Sequence, residues 1–321
     1  MTSPSGRLNL PRSTTGREPQ YILITLLGDY WYGRPEPLPS AALVGLLAEF
    51  SISEGNARQA MRRLTNRDLL DQHKVGRTTF YSVPERIREH RPQRIRRALD
   101  FGRPLDDWDG LWTVVAFSIP ERMRTKRQLL RSRLKSLHMA CLHGAIWVSP
   151  HDVVARVEHA LQELDIEDAT VMRSSIEGPD GAKDWGALFR LDELGEAYRG
   201  WAREWKPLLA TVSKGGLVGR DALVTRTTVL SEWLSFRVTD PNLPSELLPD
   251  AWPRVEAREI ALAIYDGLGE RAARHFCSVL RRYDRNLADL VVYHTSSGVN
   301  RNPFGAAPMD LHEHSGDGVG T

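Results

Sequence analysis

The chain has 321 residues, which is enough for two or three domains. Its hydrophobic content of 41% and charged content of 26% are ordinary for a soluble globular protein. No apolar run approaches the ~20 residues that a membrane span needs. The two cysteines, Cys141 and Cys277, support neither a disulfide framework nor a Cys-based zinc site. We therefore expect a cytoplasmic protein with no membrane partner.

The net charge of +2 is unevenly distributed along the chain. Residues 1–103 hold 17 Lys and Arg against 10 Asp and Glu, whereas the remainder holds 26 against 31. Positive charge concentrated in one domain favours nucleic-acid binding, because neutralising phosphates supplies most of the non-specific affinity.

Residues 39 to 83 predict a helix, a short break, a second, cationic helix and a two-stranded hairpin. The first helix carries an apolar stripe of Ala41, Leu43, Val44, Leu46 and Leu47. The break ends at Ser53, whose hydroxyl is a good N-cap for the second helix. This order is typical of a winged helix-turn-helix, which places its second helix in the DNA major groove.

The second helix has one apolar face, formed by Ala57, Ala60, Met61 and Leu64, and Gln59 and Arg62 point away from it. Arginine pairs with guanine and Gln or Asn with adenine, so these are side chains that read base edges. Arg77 lies at the tip of the hairpin, in reach of phosphate or a minor groove. The alternative is an amphipathic helix with a solvated basic face. The predicted DNA-binding residues are Ser53, Asn56, Arg58, Gln59, Arg62, Arg63 and Arg77.

Several of these segments resemble the PaaX family of transcriptional repressors. The resemblance begins at Thr25-x-x-Gly28-Asp29, continues through residues 56–64 and the hairpin at 76–81, and is most specific at residues 236–253. That last block, with its Asp240-Pro241-x-Leu243-Pro244 run, predicts a rigid bridge between helices. The resemblance implies a dimeric repressor that a small molecule releases from DNA, with an acyl-CoA as the implied effector.

The middle of the chain predicts the order βαββαβ, which is the ferredoxin-like split unit. The strands are expected near 112–119, 139–142, 145–148 and 169–173. One helix is expected over 124–137 with Leu129, Leu130, Leu134 and Leu137 inward, and another over 152–164, capped by Ser149 or Asp152. The resemblance points to the same fold, since the family carries a domain similar to a small CRISPR adaptation endoribonuclease.

A metal-dependent nuclease built on this central domain is the competing hypothesis. That nuclease family places an aspartate just after its first strand, but here the strand ends at Ser118-Ile119-Pro120. Without the carboxylate a hydrolytic metal site loses its hard oxygen ligand. We therefore interpret the domain as a dimerisation and signal-transmitting scaffold. A ligand-processing enzyme with an accessory DNA domain is a third hypothesis, for which we find no catalytic set.

Helices are predicted in the C-terminal part over 191–205, 220–238, 252–268 and 271–283. Its tryptophans, Trp201, Trp205, Trp233 and Trp252, are more often core than ligand pocket. The glycine-rich segment 214–220 lacks the Gly-Lys-Ser/Thr ending of a P-loop, so an interhelical linker is favoured. The basic helix around 122–135 either holds a phosphorylated ligand or forms a solvated face. The histidines His138, His143, His151 and His159 lack metal-site spacing.

The sequence thus predicts an α+β chain with an N-terminal winged helix-turn-helix, a central ferredoxin-like βαββαβ domain and a mostly helical C-terminal domain. We expect a palindromic DNA operator and a homodimer as partners, no cofactor or metal, no enzymatic activity and an effector site whose residues are unknown. The expected boundaries are a disordered tail over 1–18, the winged helix over 19–90, a basic linker over 91–107, the dimerisation domain over 108–177, the helical domain over 186–296 and a disordered tail over 297–321.

Overall fold

The computed structural model describes residues 18–31, 33–89, 98–176, 184–297 and 303. The predicted disordered tails fall almost entirely outside these residues, as do the linker arginines Arg91, Arg94, Arg96 and Arg97. Helices and two small sheets make up the described chain, so the predicted mixture of helix and sheet is confirmed. Among the described helices, none combines the length and the apolar character needed to cross a membrane.

Four helices and a small antiparallel sheet form the described N-terminal part. Strand order is β1-β3-β2, and Val75 pairs with Thr78 so that Gly76 and Arg77 alone make the turn. Gly76 has a φ of +59°, a left-handed conformation that glycine adopts without steric cost. The elements are α1 (Pro19–Tyr30), β1 (Leu38–Pro39), α2 (Ser40–Ala48), α3 (Glu54–Thr65), β2 (Asp71–Val75), β3 (Thr78–Ser82) and α4 (Glu85–Glu89).

The apolar face of α2 differs by one residue from the expected stripe. Ala41 is exposed and Val44 only partly buried, whereas Ala42 is fully buried together with Leu43, Leu46 and Leu47. Because most residues of α2 are apolar, the sequence alone does not show which side of the helix packs on α1 and α3.

The central part contains four antiparallel strands in the order β5-β6-β4-β7. Its core includes Val115 and Trp147 from the sheet and Leu130, Leu134 and Val157 from the helices. The elements, in the predicted βαββαβ order, are β4 (Trp112–Phe117), α5 (Arg124–Ser136), β5 (Ala140–His143), β6 (Ile146–Ser149), α6 (Val154–Glu163) and β7 (Ala169–Ser174).

One local prediction for this part is wrong and another is confirmed in part. Leu129 is 50% exposed, because the buried face of α5 runs through Leu130 and Leu134 instead. Val153 holds the N-cap position of α6 without a side-chain capping bond, but Asp152 accepts the N–H of Val154 at 3.3 Å and so caps the first helical residue. The hydroxyl of Thr113 accepts the Val153 N–H at 3.2 Å, so a strand of the sheet satisfies this donor.

The C-terminal part consists of helices α7 (Trp185–Phe189), α8 (Leu191–Trp205), α9 (Leu208–Ser213), α10 (Gly219–Thr239), α11 (Arg254–Leu280) and α12 (Arg285–Ala288). The prediction of separate helices over 252–268 and 271–283 is wrong, since α11 is continuous. Gly267 and Gly269 lie inside it, where a Cβ would approach Val212 and Tyr293 to 2.6 and 2.7 Å. These glycines permit close packing and do not end the helix.

By its backbone contacts the chain divides into two compact units, each made of non-consecutive segments. The first comprises residues 1–101, 204–234 and 259–321, and the second comprises residues 102–203 and 235–258. Helices of the expected C-terminal domain are thus shared between the units, while the linear domain boundaries stay a prediction.

Candidate nucleic-acid interface

Helix α3 is built as the sequence predicts. The Ser53 hydroxyl accepts the backbone N–H of Asn56 at 3.4 Å, so Ser53 is the N-cap. Ala57, Ala60, Met61 and Leu64 are all at most 3% exposed. Burial of these four side chains fixes the rotation of the helix and therefore which side chains face outward.

The outward face of α3 carries exposed Asn56, Arg58, Gln59, Arg62 and Arg63. Arg58 is paired with Glu54 one turn earlier, at 2.9 and 2.7 Å from Nε and Nη2. The side chains of Gln59, Arg62 and Arg63 show no hydrogen bond or ion pair to any residue that the structure describes. On this face Arg58 is thus neutralised, whereas Gln59, Arg62 and Arg63 keep unused donors.

Sequence reasoning missed the effect of Glu54 on Arg58, although the spacing i, i+4 signals such a pair. Both side chains are about half exposed, at 49% for Arg58 and 64% for Glu54. An exposed pair of this kind is worth less than ~1 kcal/mol, so a stronger phosphate contact can replace it.

The hairpin β2-β3 presents Arg77 at its turn, exposed to solvent as predicted. Strand β1 pairs with β3, with Leu38 opposite Tyr81 and Pro39 opposite Phe80. Since β1 runs directly into α2, the start of α2 is held at the base of the hairpin. Helix α3 and the turn that carries Arg77 therefore lie in the same folded domain.

A buried charged cluster ties α1 to the C-terminal helices of the same unit. Arg226 of α10 pairs with Asp29 of α1, and both side chains are at most 2% exposed. The other Arg226 donors bond the Tyr30 hydroxyl at 2.9 Å and the carbonyls of Tyr265 and His294 at 2.9 and 2.7 Å. The guanidinium also lies 3.9 Å above the ring of Tyr265.

Both carboxylate oxygens of Asp29 accept hydrogen bonds within this cluster. Besides Arg226, Asp29 accepts the Tyr265 hydroxyl at 2.6 Å. Burial raises the pKa of Asp29, and the adjacent Arg226 charge opposes that shift. Burial also raises the pKa of Tyr265 well above its usual value, so this phenol stays protonated and donates. The Gly28-Asp29 motif is thereby explained as a buried anchor of α1.

Helix α11 and the turn that follows it also pack along α2. His275 lies 2.9 Å from the Glu49 carboxylate, and a Cβ on Gly45 would lie 2.5 Å from the Tyr283 hydroxyl. Phe276 stacks on Tyr30 with ring centroids 4.8 Å apart. Helices α1 and α2 are therefore supported by residues more than 200 positions later.

The second unit has a comparable buried pair. Asp240 accepts Arg254 Nη1 at 3.2 Å and the Tyr198 hydroxyl at 2.6 Å. Desolvation raises the pKa of Tyr198, which keeps this phenol a donor. The Asp-Pro-x-Leu-Pro block, which separates α10 from α11 as predicted, is thus held by its own aspartate.

The remaining sequence candidates do not form a site. Among the described residues no group of three His, Cys, Asp or Glu could hold a metal. On α5, Lys126, Arg127 and Arg133 pair with Asp165, Glu121 and Glu163, which favours an ion-paired surface. The carbonyl of Leu217 in the glycine-rich segment accepts Arg271, as in an interhelical linker. Trp201, Trp205 and Trp233 are buried.

Comparison with known proteins gives three matches to family models. Residues 18–87 match "PaaX-like protein", residues 105–185 match "PaaX protein central Cas2-like domain", and residues 189–278 match "PaaX-like protein C-terminal domain". The transcriptional repressor PaaX of Escherichia coli (strain K12) is 23% identical over 273 residues, which cover 78% of this chain and 80% of that protein. The uncharacterized protein Rv0674 from Mycobacterium tuberculosis is 23% identical and covers 86% of this chain and 99% of its own, with a TM-score of 0.44.

Fold and site together define a multidomain α+β protein that carries an exposed basic helix and a hairpin on its first unit. The three matched segments follow one another along most of the chain in the order of a single family's domains. The chain belongs to the PaaX family.

Proposed function

We propose that this protein is a DNA-binding transcriptional regulator, most simply a repressor, and not an enzyme. The observation that carries the proposal is the outward face of α3, where Gln59, Arg62 and Arg63 keep unused donors on a helix whose rotation is fixed by burial. The Escherichia coli relative is a transcriptional repressor, which supports the same function. A cytoplasmic location follows as part of the proposal.

In this proposal residues 19–90 act as a winged helix-turn-helix with α3 in the major groove. Arg62 makes a bidentate contact with guanine, and Gln59 and Asn56 read adenine. Arg77 of the hairpin and the start of α2 contact the phosphate backbone. Arg58 contributes least to base reading, because its guanidinium must first leave Glu54.

Substituting Arg62 with alanine tests the assignment. We expect a cost of ~1–3 kcal/mol on the specific site and relaxed preference at one base pair. Arg58→Ala is the matched control from the same face, and its effect should be smaller and similar on specific and scrambled duplexes. Affinities are measured by fluorescence anisotropy on a duplex recovered by genomic footprinting. Equal losses for Arg62→Ala on both duplexes would reduce its role to phosphate contact, and wild-type affinity would remove it from the interface.

We further propose that residues 108–177 form a ferredoxin-like module that makes the protein a homodimer on a palindromic operator. The strand order β5-β6-β4-β7 with two crossing helices supports this fold. Side chains alternate along strands, so Ile146 and Met172 project from the face opposite the core. They are 36% and 43% exposed, while Trp185 of α7 stacks on Trp112 and covers part of the same face. In this proposal a second copy of the chain packs against the rest of this exposed sheet face.

Release from DNA by a small-molecule effector, such as an acyl-CoA, is proposed from the family resemblance alone. The described residues single out no effector contact. Full switching requires ~5 kcal/mol of differential affinity between the two protein states. A panel of acyl-CoAs and free aromatic acids titrated into the DNA complex tests the class. Release by a free acid, with every thioester inactive, would rule out the acyl-CoA.

The nuclease hypothesis gains no support from the site. The residue after β4 is Ser118, whose backbone N–H bonds the Asp168 carbonyl at 2.9 Å. Its hydroxyl is not a replacement for the carboxylate that a hydrolytic metal needs. Regulation therefore remains the function that the geometry favours.

A further inference from the structure

The end of α11 and the start of α12 surround an open cleft with three arginines. The cleft has a volume of about 470 Å³ and is lined by Ser278, Arg281, Arg282, Arg285 and Asp289. Arg281 pairs with Asp289 at 3.1 Å, which balances one positive charge with the only carboxylate of the lining. Arg282 and Arg285 are exposed, and their guanidinium groups meet no acceptor among the described residues. The cleft therefore carries two uncompensated positive charges.

The position of the cleft relative to α2 follows from contacts within the first unit. His275 contacts Glu49 just after the end of α2, and Tyr283 reaches Gly45 in its middle. Tyr283 lies just past the end of α11, so the segment that carries Arg282 and Arg285 begins beside the middle of α2. The bond from Arg34 Nε to the Leu290 carbonyl, 3.0 Å long, brings the chain before α2 to the residues that follow α12.

The first turn of α2 is also where the proposed DNA interface begins. Strand β1, which leads into α2, pairs with hairpin strand β3. In a helix-turn-helix the helix before the recognition helix crosses the phosphate backbone. Its N-terminus favours phosphate because unpaired backbone N–H groups and the helix dipole point there. Side chains beside this turn are therefore close to backbone phosphates at the edge of the half-site.

We infer that Arg282 and Arg285 form a phosphate clamp, in which the C-terminal part of the chain binds the DNA backbone beside the half-site that α3 reads. The inference rests on the proposed DNA-binding function. It assigns to residues 282 and 285 an electrostatic, sequence-independent share of the affinity. Arginine suits this role because its planar fork pairs with phosphate oxygens bidentately.

The test measures how the affinity of the full-length protein depends on salt. Wild type and Arg282→Ala/Arg285→Ala are titrated against the footprinted duplex and a scrambled duplex between 50 and 200 mM salt. Each lost phosphate contact lowers the slope of log K against log salt by about 0.9, so we expect a slope smaller by about 2 for each bound protomer and by about 4 for the proposed dimer. The affinity should fall on both duplexes by a similar factor, on the order of tenfold at low salt.

Two further variants distinguish a phosphate clamp at Arg282 and Arg285 from a general effect of removing positive charge. Arg190→Ala/Arg203→Ala removes the same charge from exposed, ion-paired positions of the second unit and should leave the slope unchanged. Arg282→Lys/Arg285→Lys keeps the charge and should retain most of the slope, because lysine binds phosphate as a point charge.

Several results would overturn the clamp. These are a wild-type slope in the alanine variant, an equal change in the control pair, a loss confined to the specific duplex, or a lysine variant as weak as the alanine variant. An alanine variant that binds DNA normally, but no longer binds inorganic tripolyphosphate, would assign the cleft to a small phosphorylated ligand instead. Wild-type protein that binds neither duplex would refute the DNA-binding proposal itself, which is a different observation.

Discussion

Removing the charge of Asp29 should destabilise the first unit by a large and specific amount. Asp29→Asn keeps the side-chain volume but leaves the Arg226 guanidinium, which is 0% exposed, without a counter-ion. The asparagine oxygen can still accept from Arg226, but its NH2 group can no longer accept the Tyr265 hydroxyl proton and carries no charge to neutralise Arg226. Breaking a buried ion pair in this way costs about 3–5 kcal/mol of unfolding free energy.

The measurement is urea unfolding followed by intrinsic fluorescence, with Glu270→Gln as the matched control. Glu270 pairs with Arg274 at 2.5 Å, but the two side chains are 54% and 60% exposed, so its loss should cost less than ~0.5 kcal/mol. The double variant Asp29→Leu/Arg226→Met should be more stable than either single variant, because no charge is left buried alone. If the unfolding free energies of Asp29→Asn and Glu270→Gln differ by less than ~0.5 kcal/mol, the Asp29–Arg226 pair does not anchor α1.

Two other predictions concern the second unit. Met172→Asp places a charge on the exposed sheet face, so light scattering should show a shift from dimer toward monomer. The control Leu129→Asp, at an exposed position of α5, should remain a dimer. An intact dimer in Met172→Asp would place the dimer contact elsewhere. Burial lowers the pKa of His138 below its usual 6.5, with Asp240 opposing the shift and His151, Arg156 and Arg237 adding to it. The unfolded chain therefore binds the proton first, so the unfolding free energy should fall as the pH drops below about 6.5. His138→Asn tolerates the φ of +56° and should lose this part of the pH dependence between pH 7.5 and 5.5; an unchanged profile would contradict it.

The sequence alone was sufficient for features that depend on near neighbours. The N-cap at Ser53 and the buried face of α3 follow from spacings of three and four residues, and the structure confirms both. The hairpin turn at Gly76-Arg77 and the βαββαβ order follow from short connections between alternating segments. Even the pairing of Arg58 with Glu54 lies within one helical turn and could have been predicted.

Only the tertiary structure decided which distant segments meet. Asp29 and Arg226 are 197 residues apart, and no local pattern indicates that a buried aspartate will find its counter-ion on α10. The sequence predicts two helices over 252–268 and 271–283, whereas α11 runs through this point with Gly267 and Gly269 packed against Val212 and Tyr293. Tertiary packing outweighs weak local preferences, and it alone places Tyr283, which lies between Arg282 and Arg285, against a helix formed near the other end of the chain.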